Sequence, residues 1–456
     1  MNKWDHARAL LRETFLKYVR FFIPANSRVL MFGCPDNCFL DKLRPEIGIG
    51  VAAGAGPGHA GSNIYYVDDI ETFYVEETFD YIIINEVLDS AADVRRFLVG
   101  LLRMAGPETR IILNSLNPGW KGLISTLSPG SPAAAGRQTR AGRFSRRDLE
   151  KFLAISGYEI ITRENYLLLP WPVPVVAAFT NRFLAKLPLL RRCCLGRLTV
   201  ARPDRPPADP SEITTSVVIT CRDEEGNIRD LVERIPVMGK KTELVFVEGH
   251  SVDNTVGRVR EMMRQYPDRD IKLYHQTGIG QGDAFRLGFD RAEGDFLIWL
   301  EADLTTPPEE ARHIWEAYAG GHGEYINGSR FVYPMAPGAM PPVNKLGNRF
   351  FSRVMSLVTG RDFTDTLCGF KGITRTGYQH IVNSPNRFDD LDPFGDFLLI
   401  LGAVRYNLKI AEVPVHYQPR KYGESKAYGR SWFGLLTHAR LLFKICRQAF
   451  IDFRLL

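Results

Sequence analysis

Apolar, β-rich runs alternate with helix-compatible stretches twice along the chain. In the first half, Ser27 to Gly33 (SRVLMFG), Phe79 to Asn85 (FDYIIIN) and Thr109 to Ser115 (TRIILNS) read as strands. Each is followed by a helical stretch or a Gly/Pro-rich turn, the order that builds a parallel sheet. In the second half, Thr215 to Cys221, Thr242 to Glu248, Asp270 to Gln276 and Gly294 to Asp303 repeat the pattern. The expected fold class is α/β with two Rossmann-like units, the first a doubly wound sheet. Between them, Ala201 to Ile213 carries four prolines among scattered charges and reads as a linker. The expected domains are therefore 1–200, a linker over 201–213, and 214–456. A length of 456 residues fits two or three compact units.

Composition narrows the class. Apolar residues are 45% and charged residues 24% of the chain, an ordinary globular balance. A net charge of +6 is too small over this length to indicate nucleic-acid binding. Seven cysteines without a CxxC pair argue against a disulfide scaffold or structural zinc and for reduced thiols in the cytoplasm. The N-terminus mixes charges into a helical pattern and is not expected to be a secretory signal. The apolar, uncharged run between Glu164 and Arg182 is 17 residues interrupted by Pro170, Pro172 and Pro174, so a spanning helix is not expected there.

Charge is uneven, however. Asn181 to Arg205 holds seven basic residues against Asp204, and Arg420 to the C-terminus holds eight against Glu424 and Asp452. In the second stretch Trp432, Leu436, Ala439, Phe443, Cys446 and Phe450 fall on one helical stripe flanked by Arg440, Lys444 and Arg447. Two readings follow: a helix packed on its own domain with a solvated edge, or an interfacial helix on an anionic membrane, where each nearby base contributes about 1 kcal/mol. The second places the protein peripherally on the cytoplasmic face.

In the first unit, VLMFGCPDNCFLDKLRP from Val29, then FDYIIINEVLDSAADVRRFL, RIILNSLNPGW and FSRRDLEKFLAISGYEII, resemble class I S-adenosylmethionine-dependent methyltransferases. The resemblance covers about residues 10–200. It implies a Gly-rich turn after the first strand, where backbone approaches cofactor. Gly33 and Cys34 fit, whereas Pro35, Asp36 and Asn37 replace further glycine, and Ala52 and Ala53 stand where an acid grips ribose hydroxyls. The expectation is a non-catalytic or altered unit used for docking or substrate selection. An active methyltransferase, acting on a glycan or lipid with the second unit as a binding module, is the alternative.

In the second unit the ordered motifs SVVITCRDEEGNI, ELVFVEGHSVDNT, TGIGQGDAFRLGFDRAEGDFLIWLEADLTTPPEE, NGSRF, NKLGNRFFSRVMSLVTGRDFTDTLCGFKGITR and DPFGDFLLILGAVRYNLKIAEVPVHYQPRKYGESK resemble family 2 glycosyltransferases of the dolichyl-phosphate-mannose-synthase-like branch. That resemblance implies a glycosyltransferase-A fold and a nucleotide-diphosphate sugar donor. Asp223, Glu224, Glu248 and Gln281 are then donor-side residues, with Asp253 either donor-side or an N-cap. Glu301 and Asp303 close an apolar strand, and alternation puts both carboxylates on one side. Uncompensated carboxylates there cost several kcal/mol, and Mg²⁺ or Mn²⁺ bridging the diphosphate supplies the compensation. Arg420 and Lys426 belong to a late loop, with Tyr422, Gly423, Glu424 and Ser425, that closes over the donor.

Acceptor chemistry turns on protonation. A hydroxyl acceptor requires a general base, for which Asp365 and Asp396 are the candidates. A lipid monophosphate is already anionic, with a second pKa of about 6, and requires cations, for which Arg330 and Arg349 suit. Asp365 and Asp396 then orient those arginines. The favoured reading is inverting, metal-dependent transfer to polyprenyl phosphate in cell-envelope glycan synthesis. A QxxRW motif and multiple membrane spans, both marks of processive polysaccharide synthases, are absent from the sequence.

Overall fold

A computed structural model describes residues 3–34, 37–53, 64–89, 91–120, 144–171, 173, 175–187, 189–205, 209–383, 395–423 and 432–454. The chain divides into two compact units, Met1–Arg205 and Pro206–Phe453. Among the described residues no helix is long and apolar enough to cross a membrane.

The first unit is built on seven strands: β1 (Arg28–Phe32), β2 (Ile47–Ala53), β3 (Ile64–Val67), β4 (Phe79–Asn85), β5 (Ala105–Leu116), β6 (Tyr158–Tyr166) and β7 (Gly196–Pro203). Their order is β3-β2-β1-β4-β5-β7-β6. The first five pair in parallel, while β7 runs antiparallel to β5 and β6. Both faces are covered, which explains why these runs lack polar alternation. Val29 and Met31 of β1 pack in one core with Leu11, Phe15 and Val19 of the helix Lys3–Phe22. Leu30 and Phe32 pack in the other with Phe97 and Leu101 of the helix Val94–Leu101.

Strand β7 lies in the base-rich stretch from Asn181 to Arg205 and runs into the expected linker. Ala201 to Pro203 complete that strand, so the proline-rich segment begins inside the sheet. Arg202, one of the seven bases counted in that stretch, is 1% exposed and pairs with Glu159 on β6 at 3.1 Å.

The second unit has β8 (Thr214–Cys221), β9 (Lys241–Glu248), β10 (Asp270–His275), β11 (Phe296–Glu301), β12 (Tyr325–Ser329), β13 (Lys371–Thr374) and β14 (Ile410–Pro414). The order is β10-β9-β8-β11-β13-β12-β14. Strands β10 to β11 are parallel, and β13 is antiparallel to both its neighbours. Val217, Phe246 and Ile298 face a core shared with Leu231, Val259 and Ile314 from three helices. On the opposite face Phe285 of the helix Gln281–Arg291 stacks on Trp299 at 5.1 Å between centroids. Gly288 allows this helix close approach, since a Cβ there would collide with Val218.

The C-terminal helix spans Trp432–Arg454. Its buried positions are Ile445, Ala449 and Phe453, four residues apart, while Phe443 is 69% exposed. The buried face is thus rotated from the stripe expected through Phe443, Cys446 and Phe450. The side chains of Trp432, Leu436 and Ala439 lie outside the described residues.

Candidate active site

The carboxyl ends of β8, β9 and β11 each turn through a non-glycine residue in the left-handed region: Asp223 (φ 48°), His250 (φ 60°) and Leu304 (φ 54°). Such residues cost about 1–3 kcal/mol each and gather where a site over-determines the backbone. Three together at one sheet edge mark a crevice of the kind open α/β sheets use for ligands. A cavity of about 380 Å³ opens there, lined by Cys221, Glu224, Gln281, Glu301, Asp303 and Arg420 among others.

Asp303 lies in the turn beyond β11, which ends at Glu301. The two acids come together through that turn and not through strand alternation. Asp303 is 6% exposed. Its Oδ1 accepts from the Thr305 backbone N–H (3.0 Å) and hydroxyl (2.8 Å), and its Oδ2 accepts from Arg420 at 2.7 Å. Arg420 also donates to Glu224 at 3.0 Å, so one guanidinium bridges two nearly buried carboxylates.

Glu301 is half-buried, and Gln281 donates to it at 2.6 Å. Removal from water, with the charge of Asp303 adding to it, pushes its carboxyl up to about 7. A Cβ at residue 369 would collide with this carboxyl, so Gly369 is the residue that leaves Glu301 its place. The Gln281 hydrogen bond and the charge of Arg330 oppose the rise in its pKa without cancelling it. Hard oxygen donors paired at a crevice suit a divalent ion that takes its other ligands from phosphate and water. Among the described residues no cluster of three or more His, Cys, Asp or Glu side chains could hold an ion by itself.

The remaining donor-side residues knit the loops together. Asp223 accepts from the Val252 N–H at 2.7 Å, and its own N–H donates to Ser251 at 3.0 Å. Asp253 accepts from the N–H groups of Thr255 (3.0 Å) and Glu225 (3.1 Å), a turn tie, while the following helix has Asn254 at its N-cap. Glu248 is also engaged internally, by the Ser251 N–H and by His275 Nδ1 at 3.0 Å. Burial raises its pKa, but these hydrogen bonds outweigh that and hold it below the usual range.

Asp365 is fully enclosed. Both of its oxygens take the Arg330 guanidinium, at 2.7 and 2.9 Å, and it also accepts the backbone N–H groups of Arg330 (3.2 Å) and Leu367 (3.1 Å). Burial opposes its ionisation, yet Arg330 holds the carboxyl below its ordinary range. A carboxylate without solvent access and with both oxygens taken does not serve as a general base. This corrects one of the two roles considered for it. Asp396 opens the helix Asp396–Arg405 and pairs with the wholly buried Lys371 at 2.6 Å. Breaking a buried pair of this kind by removing one partner costs about 3–5 kcal/mol. Burial raises the Asp396 carboxyl, against the pull of Lys371.

Arg330 is 8% exposed and is not among the residues lining the cavity, though its charge is felt at Glu301. Arg349 stands apart from the cavity lining, exposed on the helix Pro342–Thr359 with its guanidinium 5.3 Å from the Phe331 ring centroid. Lys426, Glu424, Ser425, Pro35 and Asp36 lie outside the described residues. Two features were missed in the sequence. One is Gly369 as the seat for Glu301. The other is the face of Pro342–Thr359 where Val343 (65%), Leu346 (73%), Phe350 (66%) and Leu357 (59%) are exposed; their spacing was a readable signal.

Residues 216–382 match the family model described as glycosyl transferase family 2. A dolichol-phosphate mannosyltransferase of Pyrococcus furiosus is 31% identical over 235 residues, covering 50% of this chain and 63% of that protein. An undecaprenyl-phosphate 4-deoxy-4-formamido-L-arabinose transferase of Shewanella sediminis is 27% identical over 234 residues, covering 50% of this chain and 65% of that protein. The chain thus spans less than two thirds of the length of these curated relatives. Among solved structures, glucosyl-3-phosphoglycerate synthase from Mycobacterium tuberculosis, in complex with uridine diphosphate, aligns at TM-score 0.38 and 17% identity, covering 52% of this chain and 80% of that one.

Proposed function

From the premise that residues 216–382 form a family 2 glycosyl transferase domain, we propose that the second unit transfers a sugar from a nucleotide-diphosphate donor to a polyprenyl phosphate, with inversion. The observation that carries this reading is the acid pair Glu301 and Asp303 at a crevice whose cation, Arg420, is held by Asp303 and Glu224. Both relatives named above are, by name, transferases of polyprenyl-phosphate type, which supports the acceptor class.

Glu301 and Asp303 would hold Mg²⁺ or Mn²⁺, which as a Lewis acid stabilises charge developing on the leaving diphosphate. Arg420 reaches the same volume and supplies a fixed positive charge there. Asp365 aligns Arg330 by a bidentate pair, so the guanidinium enters the site already oriented and loses little freedom on meeting a phosphate. A phosphate acceptor arrives deprotonated and needs no base, which fits an Asp365 withdrawn from solvent. Arg349 and the exposed apolar face of Pro342–Thr359 suit a lipid-borne acceptor at an anionic membrane surface. Glu248 and Asp223, committed to loop contacts, shape the donor pocket.

The first unit we read as an altered methyltransferase-like domain. Its doubly wound sheet supports that, while Ala52 and Ala53 at the end of β2 leave ribose hydroxyls without an acid.

Asp303→Ala tests the main reading. It should reduce turnover of the sugar nucleotide by at least about a thousandfold, of the order of losing one preorganised electrostatic contact or more, with circular dichroism unchanged. Undiminished turnover would refute the proposal.

A further inference from the structure

The first unit holds a second concavity, of about 360 Å³, at the carboxyl ends of β4 and β5. Five arginines line it: Arg146, Arg147, Arg163, Arg192 and Arg197. They come from separate elements brought together by register. Ser115 on β5 pairs with Arg197 on β7, which pairs with Asn165 on β6, and Arg163 pairs with Thr199 two residues along. Arg146 and Arg147 begin the helix Arg146–Ile155, whose N-cap is Ser145.

A row of arginines is usually a solvated face. Here their partners are too few. Glu150 serves both Arg146 (3.1 Å) and Arg163 (2.9 Å), and Arg197 donates to the neutral Asn117 at 2.7 Å. Arg147 and Arg192 pair with no carboxylate among the described residues. Burial lowers the pKa of both Arg163 and Arg197; the charge of Arg146 adds to this at Arg197, while at Arg163 Glu150 opposes it and Arg146 contributes least. Cations at the first turn of a helix also face its positive pole. Arg146, Arg147, Arg163 and Arg192 are exposed and Arg197 is half-buried, so the five guanidinium groups are open to an anion entering the concavity they line.

We infer that this cavity binds a phosphate-bearing ligand. Glu86 and Asp89 on the wall and Glu150 beside it leave two of the five positive charges uncompensated, and a phosphomonoester dianion is the complement. Guanidinium forks suit its oxygens, and Phe144, Leu88 and Leu149 offer an apolar wall for the group esterified to it. The volume falls in the range of small-molecule sites, about 300–1,000 Å³. The site belongs to the first unit and does not depend on the transferase reading of the second.

The test titrates the full chain calorimetrically with phenyl phosphate and with inorganic phosphate. Phenyl phosphate should bind more tightly than inorganic phosphate, and affinity should fall with salt. The double variant Arg147→Ala/Arg192→Ala removes side chains without carboxylate partners and should weaken phenyl phosphate at least tenfold. Arg420→Ala, which disables the cation of the second unit, should leave it unchanged. Vesicles containing phosphatidic acid, against matched phosphatidylserine vesicles, separate the sources. A preference for phosphatidic acid that the double variant abolishes identifies a lipid headgroup; phenyl phosphate binding without that preference identifies a soluble phosphate ester. Absence of binding by the intact chain, binding unaffected by the double variant, or binding lost in Arg420→Ala overturns the inference.

Discussion

Glu301 shows how a single position couples the site to the stability of the unit. Its carboxyl ordinarily titrates at 4.5 and here does so at about 7, through removal from water and the neighbouring Asp303. In metal-free protein the unfolded chain gives up this proton first as pH rises, while the native state retains it. Native stability should therefore decline between about pH 4.5 and about pH 7 through this group, and level off above. Glu301→Gln keeps a partner for Gln281 but cannot ionise. In chelator, its melting temperature should lack that decline and exceed the parent's above pH 7, the two converging below pH 4.5. Parallel pH profiles for the two proteins would show that Glu301 is not the strained acid. The same residue marks a limit of sequence reading. That positions 301 and 303 carry acids was visible, as was the apolar run before them. That Gly369, 68 residues on in sequence, must lack a side chain to seat Glu301 depends on a tertiary contact no local pattern encodes.

At the scale of elements, buried parallel strands were legible because both of their faces are covered and the runs are uniformly apolar. Strand β7 was not. It carries Arg197 and Arg202 in a stretch that composition marks as basic, and only pairing with Glu159 and Asn117 makes those positions compatible with a sheet. The C-terminal helix was placed correctly as a helix, but its buried face runs through Ile445 and Ala449, because apolar residues occupy more than one side and periodicity alone does not choose. The helix Pro342–Thr359 poses the converse case. Phe351, Met355 and Val358 are buried, whereas Val343, Leu346, Phe350 and Leu357 form an exposed stripe with Arg349 and Arg353 on its flank. A soluble surface seldom gathers large apolar residues without a partner. If this face meets the lipid carrying the acceptor, Leu346→Ser/Phe350→Ser should raise KM for a polyprenyl phosphate in vesicles several-fold. Turnover of a short water-soluble isoprenyl phosphate should stay near the parent's, since exposed substitutions shift stability by no more than about 0.5 kcal/mol. An equal loss with both acceptors would assign the face a structural role.

At the scale of the whole molecule, the two units have separate cores. Neither of the clusters built around β1 includes a residue beyond 205, and the cluster around β8 begins at Ile213. Each sheet therefore buries its own apolar surface, and each unit carries its own candidate ligand pocket, one lined by acids and Arg420, the other by arginines. Ligands that bind only the native state raise the melting temperature of the unit that holds them. Scanning calorimetry of the full chain should accordingly resolve two transitions. A UDP or GDP sugar with Mn²⁺ should raise one, and phenyl phosphate the other, by about 2.7 kcal/mol of added stability at a hundredfold excess over Kd. S-adenosylmethionine should move neither, given Ala52 and Ala53 at the end of β2. A single transition shifted by every ligand would show that the units unfold as one body, and a shift with S-adenosylmethionine would restore methyl transfer as the chemistry of the first.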